Sequence, residues 1–193
     1  MKTYLWAVVA LAGMASAHAS DLSYSYAEGG FGRTEIDGID PDGEGFFIGG
    51  SMGFGTNWLG YVEYGSADFD EGGAEATIDE LQLGFGGHFP MSERADFVGK
   101  LAYVDQSIEV DVPGLGSASA DENGFMLSAG VRGRALEKLD LMAALEYVDV
   151  GEEDDTGLAL RGVYDFTEMF SLGGRIDYSD DSSQYGIFAR FSF

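Results

Sequence analysis

The chain has 193 residues, no cysteine and a formal net charge of −24 from 34 acidic and 10 basic residues. This acidity excludes nucleic acid as a partner and argues against a polybasic membrane-surface module, because both need clustered Lys and Arg. Disorder is disfavoured as well, since aromatic residues form 13% of the chain and recur at alternate positions. Without cysteine, the fold cannot depend on disulfide bonds.

The first residues are typical of a secretion signal. Lys2 supplies a positive charge, Tyr4 to Met14 is a short apolar run, and Ala17-His18-Ala19 matches the small-x-small cleavage pattern. The run is too short to cross a bilayer as a helix, which needs about 20 residues. We therefore expect residues 1–19 to be a signal peptide and residues 20–193 to form one domain.

The remaining sequence divides into ten short segments in which apolar and polar residues alternate. In one of them Leu139, Leu141 and Ala143 share a face, while Asp140 and Met142 share the other. A period of two is the pattern of a β-strand with two different faces. The expected strands are 22–33, 45–54, 58–69, 76–89, 95–109, 123–134, 139–150, 156–166, 170–179 and 183–193.

The less apolar face indicates which kind of β-protein this is. It mixes both signs of charge with many glycines, as in the interior of a transmembrane β-barrel whose apolar face contacts lipid. Buried charges are costly unless paired, so we expect salt bridges inside. A soluble β-sandwich with this face in water is the alternative. The residues predicted to face the interior include Glu63, Glu80, Gln82, His88, Lys100, Arg132, Arg134, Glu146, Arg161, Arg175, Asp177 and Arg190.

Aromatic residues cluster near the ends of the predicted strands, as the two interfacial girdles of a membrane barrel require. One predicted girdle comprises Trp58, Phe89, Phe97, Phe166, Phe170 and Phe193, and the other comprises Tyr64, Phe69, Tyr103, Phe125, Tyr147, Tyr178 and Tyr185.

The predicted connections alternate between two kinds. Those at 55–57, 91–94, 135–138 and 167–169 are short, whereas those at 34–44, 70–75, 110–122, 151–155 and 180–182 are longer or strongly acidic. Short turns belong on the periplasmic side and long loops outside. The fold class predicted is therefore an all-β, antiparallel transmembrane barrel of ten strands, with eight strands as the alternative.

Residue chemistry predicts no catalytic, cofactor-binding or metal site. His88 is placed near the periplasmic end of the fourth strand, whereas omptin-type proteases need a His at the outer rim, and no nucleophile can be placed beside it. The stretch Asp40-Pro-Asp42-Gly43-Glu44 has alternating oxygen ligands but lacks the closing Glu of a calcium loop. A hydrated acidic turn is the simpler interpretation, with weak, collective binding of divalent cations by the acidic loops.

Three stretches carry a resemblance to a known family. They are Leu22-Ser-Tyr-Ser-Tyr-Ala-Glu-Gly-Gly with Arg33-Thr34, then Asp79 to His88 with Ala95 to Tyr103, and the closing Phe191-Ser-Phe193. The chain resembles the small outer-membrane barrels regulated by diffusible signal factor, a fatty-acid quorum signal, within the wider OmpA-like small-barrel group. The resemblance implies a quorum-regulated protein of the bacterial outer membrane or its vesicles, and it carries over no catalytic residues.

These observations together predict a non-enzymatic barrel with a structural or surface-interaction role, and a narrow porin-like channel for small solutes is the alternative. The expected partners are outer-membrane lipid and lipopolysaccharide, together with the barrel-assembly machinery. The final strand, Ile187 to Phe193, resembles the assembly signal of outer-membrane barrels because it is amphipathic and ends on an aromatic residue.

Overall fold

Ten antiparallel strands close into a single barrel in the computed structural model, which describes residues 22–36, 38, 42–71, 73–114 and 116–193. Each strand pairs with its neighbours in sequence, and β1 pairs with β10 to close the wall. The strands are β1 (Tyr26–Ile36), β2 (Gly43–Phe54), β3 (Trp58–Glu71), β4 (Ala74–Ser92), β5 (Ala95–Val112), β6 (Gly116–Leu136), β7 (Leu139–Val150), β8 (Glu153–Asp165), β9 (Phe170–Tyr178) and β10 (Ser182–Ser192).

This architecture confirms the predicted fold class and strand number. The proposed signal peptide, residues 1–19, lies outside the described residues. No helix in the described ranges is long and apolar enough to cross a membrane.

The period-two pattern has the predicted effect on the two faces of the wall. Apolar side chains such as Ile48 and Ile187 point outward and are 61% and 72% exposed. Charged side chains of the other set, such as Arg132 and Arg190, are buried inside. Phe188 breaks the alternation in sequence because it also points inward, where it packs with Phe47 and Val163.

One aromatic residue does not lie in the girdle predicted for it. Phe69 is buried rather than exposed at an interface. Its ring covers Gly43, where an added Cβ would lie 2.6 Å from the nearest ring atom. The alternation of β3 requires this, because Phe69 shares its face with the interior residues Tyr61 and Glu63.

Three strands extend further than the sequence predicts, and the difference is largest for β6. β4, β5 and β6 contain 19, 18 and 21 residues, although about 9–11 tilted residues suffice to cross a bilayer. The connection expected at 110–122 is therefore mostly strand, and that expected at 70–75 is a tight turn. Outside lipid a strand needs no apolar face, so alternation gives no signal there.

We call the extended part the projecting sheet, defined as residues 74–82, 104–112 and 116–124. It begins just beyond the paired girdle residues Tyr103 and Phe125. The ladder between β5 and β6 continues from there to the Val112–Gly116 pair, on the order of 30 Å along the strand. We call this end of the barrel the projecting rim and the other end the short-turn rim.

Candidate functional site: the barrel interior and the projecting sheet

A chain of five alternating charges crosses the middle of the barrel. Arg190 donates from Nε and Nη2 to Glu28 Oε2 at 2.8 and 2.5 Å, and Arg161 Nη1 donates to Glu28 Oε1 at 3.1 Å. Arg161 Nη2 also lies 3.6 Å from Glu63 Oε2, and Arg175 Nη1 donates to Glu63 Oε1 at 2.6 Å. The network thus joins side chains from β1, β3, β8, β9 and β10 and confirms the prediction that salt bridges form inside the barrel.

The position of Glu28 is special because β1 and β10 close the barrel. Glu28 and Arg190 stand directly opposite each other in the ladder between these strands. Their side chains are only 2% and 6% exposed. Charge-assisted hydrogen bonds are strong at a site from which water is excluded. Removing either partner would leave the other as an unpaired buried charge, which is destabilising.

A second ionic cluster lies near the short-turn rim. Asp140 accepts hydrogen bonds from Arg132 at 3.0 Å and from Arg134 at 2.9 Å. Arg134 also donates to Asp165 at 3.2 Å, and the Ser171 hydroxyl donates to the same carboxylate at 2.6 Å.

Residues 22–25, expected to begin the first strand, instead fill the interior at the short-turn rim. Leu22 and Tyr24 are each 8% exposed and pack on Leu59 and Val98. Arg132 Nη1 donates to the Ser23 carbonyl at 2.7 Å. We call residues 22–25 the N-terminal plug, because they occupy the space through which this rim would otherwise open.

Tyr24 fixes the plug through three neighbours. Its hydroxyl donates to Asp96 Oδ2 at 2.8 Å, and its ring stacks on His88 with centroids 4.0 Å apart. The Arg132 guanidinium lies 4.8 Å from the centre of the same ring. His88 Nδ1 is 3.2 Å from Asp96 Oδ2. His88 lies at the short-turn end of β4, as predicted, and its contacts with Tyr24 and Asp96 help to hold the plug.

Between the central network and the projecting rim, the interior retains an open space. A cavity of about 300 Å³ extends from Tyr61 to rim residues such as Asp155 and Ser182. Glu80 and Glu146 line it and form no salt bridge with any described residue. From Tyr61 toward the short-turn rim, the free volume falls to about 30 Å³, which is space for roughly one or two waters. Among the described residues, the interior therefore widens toward the projecting rim and narrows toward the short-turn rim.

Tyrosines mark where the wall ends and the projecting sheet begins. Tyr64, Tyr103 and Tyr147 donate their hydroxyls to Asp79, Asp105 and Asp149 at 2.8, 3.1 and 3.3 Å. An aromatic ring with a polar tip is typical of a membrane–water interface. The carboxylates beyond this line stand in water.

The projecting sheet itself is uniformly acidic. Residues 74–82, 104–112 and 116–124 include no Lys, Arg or His. Within the described ranges, no three His, Asp or Glu side chains converge as a metal site. Asp40 and Pro41 of the calcium-loop-like stretch lie outside those ranges, while Asp42 forms an ion pair with Arg33. The acidic residues of the sheet are Glu75, Asp79, Glu80, Asp105, Glu109, Asp111, Asp121 and Glu122.

A closed antiparallel wall with an apolar exterior, tyrosine-marked ends and an ionic interior defines a bacterial outer-membrane β-barrel. The family model described as "Outer membrane protein beta-barrel domain" matches residues 5–159, and the chain belongs to this family. In such barrels short turns face the periplasm, which assigns the short-turn rim to that side.

The chain is similar to several solved structures. Ail, the attachment invasion locus protein of Yersinia pestis, shares 15% identity with a TM-score of 0.50, covering 89% of this chain and 99% of that chain. The N-terminal β-barrel domain of Pseudomonas aeruginosa OprF shares 12% identity with a TM-score of 0.48, covering 89% of this chain and 100% of that one. Neisserial surface protein A shares 13% identity with a TM-score of 0.47, covering 87% and 95%. No curated protein matches the chain in sequence.

Proposed function

We propose that this protein is a non-enzymatic barrel that presents an acidic sheet at the cell surface for interaction with other molecules. The observation that carries the proposal is the projecting sheet, which continues well beyond the tyrosines of the girdle. A barrel with a purely structural role has no need of strands of 18 to 21 residues. The ionic interior provides a rigid base for the sheet.

Shortening the hairpin between β5 and β6 tests the proposal. Replacing residues 109–119 by Asn-Gly joins the paired residues Ile108 and Ala120 with a two-residue turn suited to a hairpin. We expect the host bacterium carrying this variant to lose surface attachment and cell aggregation as fully as a strain lacking the protein. Its resistance to detergent should stay unchanged.

The matched control keeps the hairpin and changes only its charge, through E109Q and D111N. Heat-modifiable migration on a gel should show that all variants fold into the outer membrane. Attachment that survives the shortened hairpin, combined with detergent sensitivity in the strain lacking the protein, would favour a structural role instead.

A narrow channel is the second candidate, favoured by the cavity lined by Glu80 and Glu146. The packed region around Tyr61 and the N-terminal plug oppose it, because the described residues leave only about 30 Å³ of free volume there. We expect planar-bilayer recordings of the purified barrel to show no regular conductance. Large, regular steps would favour the channel.

We also propose that divalent cations bind weakly and collectively to the acidic sheet at the lipopolysaccharide surface. Calcium should then raise the melting temperature of the barrel embedded with lipopolysaccharide, because it reduces repulsion among carboxylates. The E109Q/D111N variant should respond less. An unchanged melting temperature in the original protein would contradict this part of the proposal.

The narrower resemblance, to barrels regulated by diffusible signal factor, belongs to the same proposal, with its implied quorum regulation and presence in vesicles. Its support is the set of matching stretches between Leu22 and Tyr103. Assembly through the terminal aromatic strand is supported by the role of β10, which closes the barrel against β1.

A further inference from the structure

The projecting sheet ends in an unpaired strand edge. β6 pairs with β5 from Gly116 onward, but its ladder with β7 begins only at Gly124, opposite Val150. Among the described residues, 116–122 therefore have a neighbouring strand on one side only, and we call their other side the free edge. All of residues 116–122 are exposed to solvent.

The backbone groups that point out of the free edge can be identified. The Asn123 carbonyl accepts a hydrogen bond from the Gly151 amide at 3.4 Å, so Asn123 directs its backbone groups toward the β7 side. Direction alternates along an antiparallel strand. Ser117, Ser119 and Asp121 thus present their amides and carbonyls outward, ready to pair with an added strand.

The sequence of the free edge lacks the usual protection against pairing. Exposed edges are commonly blocked by Lys, Pro or a bulge. Residues 116–120 read Gly-Ser-Ala-Ser-Ala, without charge or proline, and the register with β5 is regular throughout. An incoming strand would meet small side chains and a straight ladder.

The surrounding charge decides what kind of strand fits. Glu122 reaches over Gly151 at the base of the edge, next to the acidic turn that contains Glu152. The segments 104–124 and 149–155 contain no basic residue. A second copy of this chain would bring the same carboxylates and be repelled, whereas a basic segment would be attracted.

We infer that the free edge of β6 binds an extended, Lys- or Arg-containing peptide segment of a partner protein by strand addition. Backbone hydrogen bonds supply the pairing in this mode of recognition, and side chains supply selectivity. The inference rests on the proposed surface-interaction function and specifies how the sheet would hold its partner.

The test uses the full barrel in lipid nanodiscs and a fluorescein-labelled peptide, Lys-Val-Lys-Thr-Lys-Val-Lys, followed by anisotropy. Two control peptides accompany it. One is N-methylated throughout, so it keeps its charge but cannot donate backbone hydrogen bonds. The other replaces each Lys by Glu. We expect the first peptide to bind, and the two controls to bind at least about fivefold more weakly, as loss of backbone pairing or charge repulsion requires.

Ser119 provides the matched pair of variants. S119P removes an outward amide without touching the ladder with β5, as proline is tolerated on an edge, and should weaken binding about fivefold or more. S119A keeps the amide and should change affinity less than about twofold. Heat-modifiable migration checks that both variants fold.

Equal binding of the N-methylated peptide, or full binding by S119P, would show that charge alone attracts the peptide and would overturn the inference. Concentration-dependent dimers of the barrel would overturn the choice of partner. No peptide binding, alongside lost attachment in the shortened-hairpin strain, would remove this inference and leave the proposed function standing. Peptide binding that depends on the free edge, combined with normal attachment in that strain, would contradict the proposed function and leave this inference standing.

Discussion

Glu28→Gln is expected to lower the free energy of unfolding by about 3–5 kcal/mol, because it leaves two buried guanidinium groups without their shared carboxylate. Arg190 and Arg161 both donate to Glu28, and the Glu28–Arg190 pair bridges the strands that close the barrel. Gln has nearly the same shape as Glu, so the loss measures charge and not volume. Urea unfolding in detergent, followed by tryptophan fluorescence and gel migration, measures the effect.

The control for this experiment is Glu152→Gln. Glu152 is exposed in the turn between β7 and β8 and should change stability by less than about 0.5 kcal/mol. A second comparison replaces Glu28 and Arg190 together by Leu, which should recover part of the loss because no isolated charge remains in that pair. Equal stability of the Glu28→Gln variant and the original would show that the network contributes nothing to closure.

Tyr24→Ala should release the N-terminal plug and cost about 3–5 kcal/mol of stability, the usual cost of removing a buried aromatic ring. The ring packs against His88 and Arg132, and the hydroxyl donates to Asp96, which is fully buried. Tyr24→Phe keeps the ring and removes only the hydrogen bond, so it should cost about 1–3 kcal/mol.

The absence of cysteine from the chain allows the plug to be followed directly. A cysteine introduced at the buried position Leu22 should react slowly with a maleimide in the original background and quickly beside Tyr24→Ala. A cysteine at the exposed neighbour Ser23 should react quickly in both backgrounds and serves as the control. Slow labelling of position 22 in the Tyr24→Ala variant would mean that the plug does not depend on this ring.

These two experiments concern different parts of the barrel interior, the central charge network and the N-terminal plug. The charge network resists separation of β1 from β10, while the plug fills the periplasmic opening. Together they explain how the barrel can provide a rigid base for the projecting sheet without a disulfide bond. The proposed surface function requires that rigidity, because an extended strand edge recognises a partner only if its backbone groups are held in register.

The local sequence pattern alone predicts the fold class, the number of strands and several interior residues of this protein. Because side chains on a strand alternate strictly, the sequence assigned Arg161, Arg175 and Glu63 to the interior, and it predicted ten strands and an antiparallel barrel. It also placed His88 near the short-turn end of β4. These features depend on neighbours within a few residues, so one sequence suffices to read them.

Tertiary structure decided which residues meet. Glu28 and Arg190 are 162 residues apart in sequence, and no local pattern states that they face each other across the closing seam. The N-terminal plug resembled the start of a strand, yet it fills the barrel because the closed wall leaves a space for Tyr24 beside Asp96. The sequence predicts a loop at 110–122, because the strands there lie beyond the lipid and need no apolar face. Register and closure are non-local, and only the folded barrel determines them.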